Sequence, residues 1–163
     1  MTLGQLLSDD CILPELASRD RWGVIEELAE CLFAGGHLAA GDRECIFSRL
    51  HDRENRLSTG VGSGVAIPHA LCPHVDHVVA AFGRSRAGIE FDAMDQEPVH
   101  IVVLFVVPDR QYRLRLETLS AIGKTLANPE LRERLMHATT AAELKLVLGG
   151  RPDSRVHQRN GKA

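Results

Sequence analysis

Val99-His100-Ile101-Val102-Val103-Leu104-Phe105-Val106-Val107 carries the longest apolar run of the chain, Ile101 to Val107, and Pro108 closes it. Its apolar side chains fall on odd and even positions alike. A strand of that kind is buried on both faces and belongs in the middle of a sheet. It is too short for a membrane span, which needs ~20 apolar residues, so direct membrane insertion is not expected.

Outward from this strand, helical and extended patterns alternate. Val75 to Phe82 reads as a strand, Val65 to Ile67 as a short β-branched piece, and Ile89 to Asp95 as a short strand or turn. Residues 18–33 read as a helix capped by Ser18, with Trp22, Ile25, Leu28, Ala29 and Leu32 at helical spacing and Gly35-Gly36 ending it. A second helix is predicted from Asp42 to Glu54. Its stripe is Ile46 and Leu50, and Arg53 follows on the same face. Gln111 to Leu126 reads as a helix with Asp109 as its cap and Asn128-Pro129 as its stop. Tyr112, Leu116, Leu119, Ile122 and Leu126 share one arc of it, and Arg115 falls inside that arc. Pro129 to Met136 and Ala141 to Leu148 read as two short closing helices. Interleaving of this sort predicts an α/β fold: a single layered domain over residues 1–148, a mixed β-sheet flanked by helices. Residues 149–163 are polar, slightly basic and aperiodic, and are expected to form a disordered tail.

Composition narrows the function classes. The 163 residues are 44% hydrophobic, enough for one real core. Nineteen basic residues against 22 acidic ones give a net charge of −3. No global positive field exists to gather nucleic acid, so no nucleic-acid partner is expected. The N-terminal MTLGQLLSDD has neither a basic region nor a long apolar stretch, so it does not read as a secretory signal. Cys11, Cys31, Cys45 and Cys72 lack paired spacing and read as reduced thiols of a cytoplasmic protein.

The chemistry is concentrated in Ser58-Thr59-Gly60-Val61-Gly62-Ser63-Gly64-Val65-Ala66-Ile67-Pro68-His69. The glycine spacing is G-x-G-x-G, and Pro68 blocks the helix that a dinucleotide fingerprint requires. No Gly-Lys-Ser/Thr follows, so it is not a P-loop. What remains is a polar, glycine-rich loop leading to a proline-fixed histidine. Backbone N–H groups and hydroxyls there could cradle an oxyanion beside an imidazole. From the spacing alone, a glycine-rich turn beside an incidental histidine is an equal reading.

This tract, with Arg53-Glu54 before it, resembles the phosphorylation-site region of the enzyme IIA components of the bacterial phosphoenolpyruvate-dependent phosphotransferase system. The resemblance is to the fructose/mannitol class, and within it to the nitrogen-regulatory branch. It extends through Ile89-Glu90-Phe91-Asp92-Ala93-Met94-Asp95, Pro98-Val99 and Leu116-Glu117-Thr118-Leu119-Ser120, about residues 3–148. It implies a mannitol-type enzyme IIA fold and no cofactor. It also implies that His69 accepts a phosphoryl group from a phosphocarrier protein, with Arg53 beside it and Ser58, Thr59, Gly60, Gly62 and Ser63 as a phosphate-binding loop. The family pattern His-Leu-x-x-Leu, with a second histidine near the active one, reads Arg115-Leu116-Glu117-Thr118-Leu119 here. Arg115 can bind a phosphoryl group but cannot shuttle a proton at neutral pH. The expected activity is therefore phosphotransfer through a phosphohistidine, feeding either a regulated protein partner or a sugar permease component.

His69-Ala70-Leu71-Cys72-Pro73-His74-Val75-Asp76-His77 also packs three histidines and a cysteine into nine positions. The spacing matches no structural zinc motif. The expectation is no metal and a loop of solvated histidines. A metal-binding protein using His69, Cys72, His74 and His77 is the third functional reading.

Overall fold

The computed structural model describes residues 2–149. In chain order the elements are α1 (Leu3–Leu6), β1 (Leu7–Leu13), α2 (Arg21–Ala34), a 3-10 turn (Ala40–Asp42), α3 (Arg43–Arg56), β2 (Gly60–Gly62), β3 (Val65–Ala66), β4 (His69–Cys72), β5 (Val79–Ile89), β6 (Val99–Pro108), α4 (Tyr112–Leu126), α5 (Pro129–His137) and α6 (Ala141–Leu148). The expected tail, from residue 150 onward, lies outside the described residues.

β6 is central, as its two-faced apolar pattern demands. It pairs antiparallel with β5 on one edge. On the other edge it pairs in parallel with β3, then with β4. β1 adds in parallel to β5, and β2 turns back antiparallel on β3. The sheet is thus mixed, with helices on both faces.

Alternation along β6 divides the core into two layers. Val102, Leu104 and Val106 pack with Val24, Ile25, Leu28 and Leu32 of α2 and with Ile46 and Leu50 of α3. Ile101, Val103, Phe105 and Val107 pack with Leu3, with Ile122 and Leu126 of α4, and with Leu135, Leu144 and Leu148. Among the described residues, no helix is long and apolar enough to cross a membrane.

Several boundaries differ from the sequence reading for local reasons. Asp20, not Ser18, caps α2, accepting from the Gly23 N–H at 2.9 Å. The strand expected over residues 75–82 begins at Val79 and runs on to Ile89, because Pro73 and the polar residues after it hold a turn. Asp109 does not cap α4: Gln111 occupies that position without a side-chain bond. The buried face of α4 is Thr118, Ile122 and Leu126, while Tyr112 and Leu116 are more than half exposed. The arc is rotated, so that Arg115, with Ile122 and Leu126, lies near its centre.

One buried charge holds the sheet to the closing helices. Arg84 of β5 is 2% exposed. Its Nε donates to the Pro14 carbonyl at 2.9 Å, and its Nη1 to the carbonyls of Leu135, at 2.8 Å, and Ala138. Replacing it with an apolar side chain leaves buried carbonyls without a donor, each costing ~1–3 kcal/mol. Arg84→Leu should therefore lose about 3 kcal/mol or more of unfolding free energy in urea titration. A loss below about 1 kcal/mol would show that water replaces the guanidinium.

Candidate active site

His69 opens β4, and Pro68 before it fixes the approach of the chain. The β4 register sets His69 opposite Phe105, and the two rings stack at 5.0 Å between centroids with a 7° interplanar angle. The imidazole Nδ1 lies 3.0 Å from the Ile67 carbonyl oxygen. A carbonyl only accepts, so Nδ1 carries the proton and Nε2 keeps its lone pair. His69 is 5% exposed. Burial is the main force pushing its pKa down, to about 4. The bond to Ile67 opposes that shift, and the charges of Arg53 and Arg115 add to it. The ring is therefore a neutral nucleophile at physiological pH.

A cavity of about 240 Å³ opens beside this ring, lined by Arg49, Asp52, Arg53, Arg56, His69, Leu71 and Arg115 among others. Four guanidinium groups thus meet one carboxylate. Arg49, Arg53 and Arg56 rise along one ridge of α3 at i, i+4 and i+7. Arg53 donates from Nη1 to the Leu57 carbonyl at 2.8 Å. Arg49 donates to the Leu71 carbonyl at 2.8 Å and lies 3.7 Å from Asp109. Arg115 enters from α4, across the sheet end, with its guanidinium 5.8 Å over the Tyr112 ring. Its Nε is buried and has no hydrogen-bond acceptor. A buried donor without an acceptor is costly, and an oxyanion in the cavity would supply one.

The sequence reading brought His69, Arg53 and Arg115 to the site, and the structure sets all three around one cavity. It does not bring the glycine tract there. Residues 60–66 form the β2–β3 hairpin, whose turn uses Gly62, Ser63 and Gly64 at φ 98°, 56° and 77°. Ser58 donates to the Phe91 carbonyl and accepts from the Gly60 N–H. Thr59 gives both its N–H and its hydroxyl to the buried carboxylate of Glu54. The Ser63 N–H goes to Asp95. Gly62 and Ser63 line a different cavity, with Arg132 and Gly123. None of Ser58, Thr59, Gly60, Gly62 and Ser63 lines the His69 cavity, and the donors of Ser58, Thr59 and Ser63 are taken up by Phe91, Glu54 and Asp95.

Arg49, Arg56 and Asp52 were missed. The α3 ridge of arginines was present in the sequence as a spacing, but only Arg53 drew attention to it. Phe105 was missed because strand register is not written in either strand alone. The four ligands of the third reading are not gathered either. Alternation along β4 sends His69 and Cys72 to opposite faces of the sheet, and His77 lies exposed against its neighbour Asp76.

The sequence model of the family described as phosphoenolpyruvate-dependent sugar phosphotransferase system, EIIA 2, matches residues 5–149. The PTS system fructose-specific EIIABC component of Bacillus subtilis (strain 168) is 33% identical over 138 residues, 85% of this chain; the chain spans 21% of that longer protein. The PTS system fructose-specific EIIA component of Haloferax volcanii is 36% identical over 126 residues, 77% of this chain and 80% of the relative. The crystal structure of nitrogen regulatory protein IIA-Ntr from Neisseria meningitidis superposes with a TM-score of 0.79 at 32% identity, covering 90% of this chain and 98% of that one. Enzyme IIAMTL of Escherichia coli, solved in complex with phosphorylated enzyme IIBMTL, gives a TM-score of 0.73 at 18% identity over 90% of this chain and 100% of that one, a likeness of fold.

The lowered His69 pKa has a measurable consequence. Between about pH 4 and 6.5 the unfolded histidine binds a proton that the folded one does not. Its contribution to stability is present above pH 6.5 and is lost as pH falls toward 4, on the order of 3 kcal/mol in all. His69→Gln should remove that part of the slope of unfolding free energy against pH. In the wild type, the ring-carbon shifts of His69 should not titrate between pH 5 and 8. A midpoint near 6.5 would contradict the burial argument.

Proposed function

From the membership of this chain in the EIIA 2 family of the phosphoenolpyruvate-dependent sugar phosphotransferase system, we propose that it takes a phosphoryl group from a phosphocarrier protein onto Nε2 of His69. Family membership makes it a phosphotransfer component. The residue, the donor and the role downstream are this proposal's own.

The observation that carries it is the neutral His69 ring, with Nδ1–H held by the Ile67 carbonyl, on the wall of a cavity that also gathers Arg53 and Arg115. Nε2 needs no general base, because it has no proton to lose. Its lone pair attacks phosphorus in line, and the new N–P bond forms as the bond to the donor breaks; because Nδ1–H stays on the Ile67 carbonyl, the ring becomes cationic and offsets part of the phosphoryl dianion. Phosphoryl transfer asks mainly for positioning and for donors around the moving oxygens. Stacking on Phe105 supplies the first, and Arg53 and Arg115 supply the second. Guanidinium groups suit this task because each can bind two oxygens at once.

Downstream, we favour a regulatory role, in which phosphorylation changes which protein docks. A phosphoryl dianion on His69, partly offset by the ring, puts new negative charge into the mouth of an arginine-lined cavity. Two observations support this reading: the match to nearly the whole of a nitrogen regulatory protein, and Arg115 in the place of a second histidine. Its competitor is phosphoryl donation toward a sugar permease, which the 36% identity to a fructose-specific EIIA component favours. A IIB-type protein is the partner class that the mannitol neighbour's complex suggests for that case.

Incubation with phosphoenolpyruvate, the first enzyme of the system and the phosphocarrier should place acid-labile phosphate on His69 and none on His69→Ala. Label on another residue would remove the central claim. Arg53→Ala should slow labelling at least tenfold, the scale of one lost phosphoryl-stabilising donor. With labelled protein, Arg115→His should shorten the lifetime of the phosphohistidine or speed its onward transfer. Equal lifetimes and equal transfer rates would reduce Arg115 to a structural residue. Pull-downs with wild type, His69→Ala and His69→Asp separate the two roles. Partners indifferent to both substitutions would count against a phosphorylation switch.

A further inference from the structure

The turn Cys72-Pro73-His74 leaves β4 on the side of the sheet away from His69 and meets the start of α3. Asp42 stands at that start. An aspartate there ordinarily accepts from the free N–H groups of the first helical turn, yet Asp42 makes no such bond. Its carboxylate is turned instead toward the turn after β4, where it lies 2.5 Å from Nδ1 of His74, though its side chain is only 10% exposed. The Cys72 thiol is fully buried beside them. A carboxylate oxygen of Asp42, Sγ of Cys72 and a ring nitrogen of His74 all lie within 4.8 Å of one another. Cys45, one turn into α3, is close enough to act on the Cys72 thiol electrostatically.

This arrangement is odd for a structural ion pair. A carboxylate is held mostly out of water next to a thiol that would repel it on ionising. A cation among the three groups reverses that repulsion. Carboxylate, thiolate and imidazole form the mixed donor set that zinc(II) accepts, with three protein ligands and a fourth position to fill. We propose that Asp42, Cys72 and His74 bind a divalent cation of the zinc(II) class, with the fourth position open to solvent. Binding displaces the Cys72 proton to solvent. His74 coordinates as the neutral ring, its proton moving to Nε2, which its 71% exposure leaves to water.

The site shares two elements with the His69 cavity and sits on the other face. α3 runs from Asp42 to Arg49, Arg53 and Arg56, and β4 runs from His69 to Cys72. The proposal does not depend on the phosphoryl-transfer reading.

The test is cobalt(II) titration of protein purified without an affinity tag, followed by thiolate-to-cobalt charge-transfer absorption and by competition with zinc(II). The expected result is one equivalent bound with a thiolate band, displaced by zinc. Asp42→Asn and His74→Gln should each weaken binding at least tenfold, and Cys72→Ser should abolish the band. His69→Ala should leave binding unchanged. His74 is exposed, so His74→Gln reports on coordination even if Cys72→Ser impairs folding, and equal urea midpoints for it and wild type verify this. Absence of the band at one equivalent would overturn the proposal, as would unchanged affinity in both Asp42→Asn and His74→Gln. A band that survives Cys72→Ser and vanishes in Cys11→Ser would move the metal to the other such cluster among the described residues, Asp10, Cys11 and His37, and would overturn it too. None of these readouts involves phosphate, so failure here leaves the His69 reading standing.

Discussion

β6 carries two short strands end to end along one edge, and that ladder sets the geometry of the rest. β3 pairs with Ile101 and Val102, and β4 pairs with the stretch from Phe105 to Pro108. Between them Pro68 has no N–H to give to a ladder, but its carbonyl still accepts from the Phe105 N–H at 3.1 Å. The break therefore occurs without loosening the edge. His69 starts a new strand in register with Phe105, its ring laid on an aromatic face, its Nδ1 returned to Ile67. If the break moved by one residue, the imidazole would face the α2 and α3 layer, since successive strand residues alternate sides. The position of His69 is a property of strand register.

The same fact explains what could be read from the sequence. β6 was legible because seven consecutive apolar residues, Ile101 to Val107, leave a single sensible position for it. α2 and α3 were legible because their apolar residues recur at helical spacing, and α5 because Asn128-Pro129 marks a break before it. β4 was not: four residues, His-Ala-Leu-Cys, have no period long enough to recognise, and their pairing exists only against β6. β1 failed for a related reason. Its polar Ser8-Asp9-Asp10 segment lies at a register irregularity against β5, which hides the alternation. The glycine tract misled in the opposite direction. Its freedom of conformation is real, but it serves a hairpin turn, and at Gly60 the reason for glycine is contact: a Cβ there would come within 2.8 Å of the Ala93 side chain. Arg115 was legible as an inward residue, and the rotated buried arc of α4 only strengthens that.

The net charge of −3 hides a local reversal. Four guanidinium groups face a cavity that holds one carboxylate, while acidic residues are spread over the remaining surface. The two charges closest in effect to His69 act on it twice. Before transfer, Arg53 and Arg115 help burial to keep the ring unprotonated, which preserves its lone pair. In the proposed reaction, the same charges would then face a dianionic group and stabilise it. On the proposed function, one arrangement would thus serve both the nucleophile and its product.

That economy has a cost in reversibility. A histidine at position 115 could give or take a proton as the phosphoryl group arrives and leaves, so its charge would follow the reaction. Arginine keeps its charge at any physiological pH. On the proposed function, its stabilisation would fall on the phosphorylated state as a ground state, and departure of the group would give that stabilisation up and leave a buried Nε unpaired again. Under the proposed phosphotransfer, a site built this way would favour holding the phosphoryl group over passing it on quickly. That property suits a protein whose phosphorylation state is read by a partner, and it burdens one that must supply a steady flux to a permease.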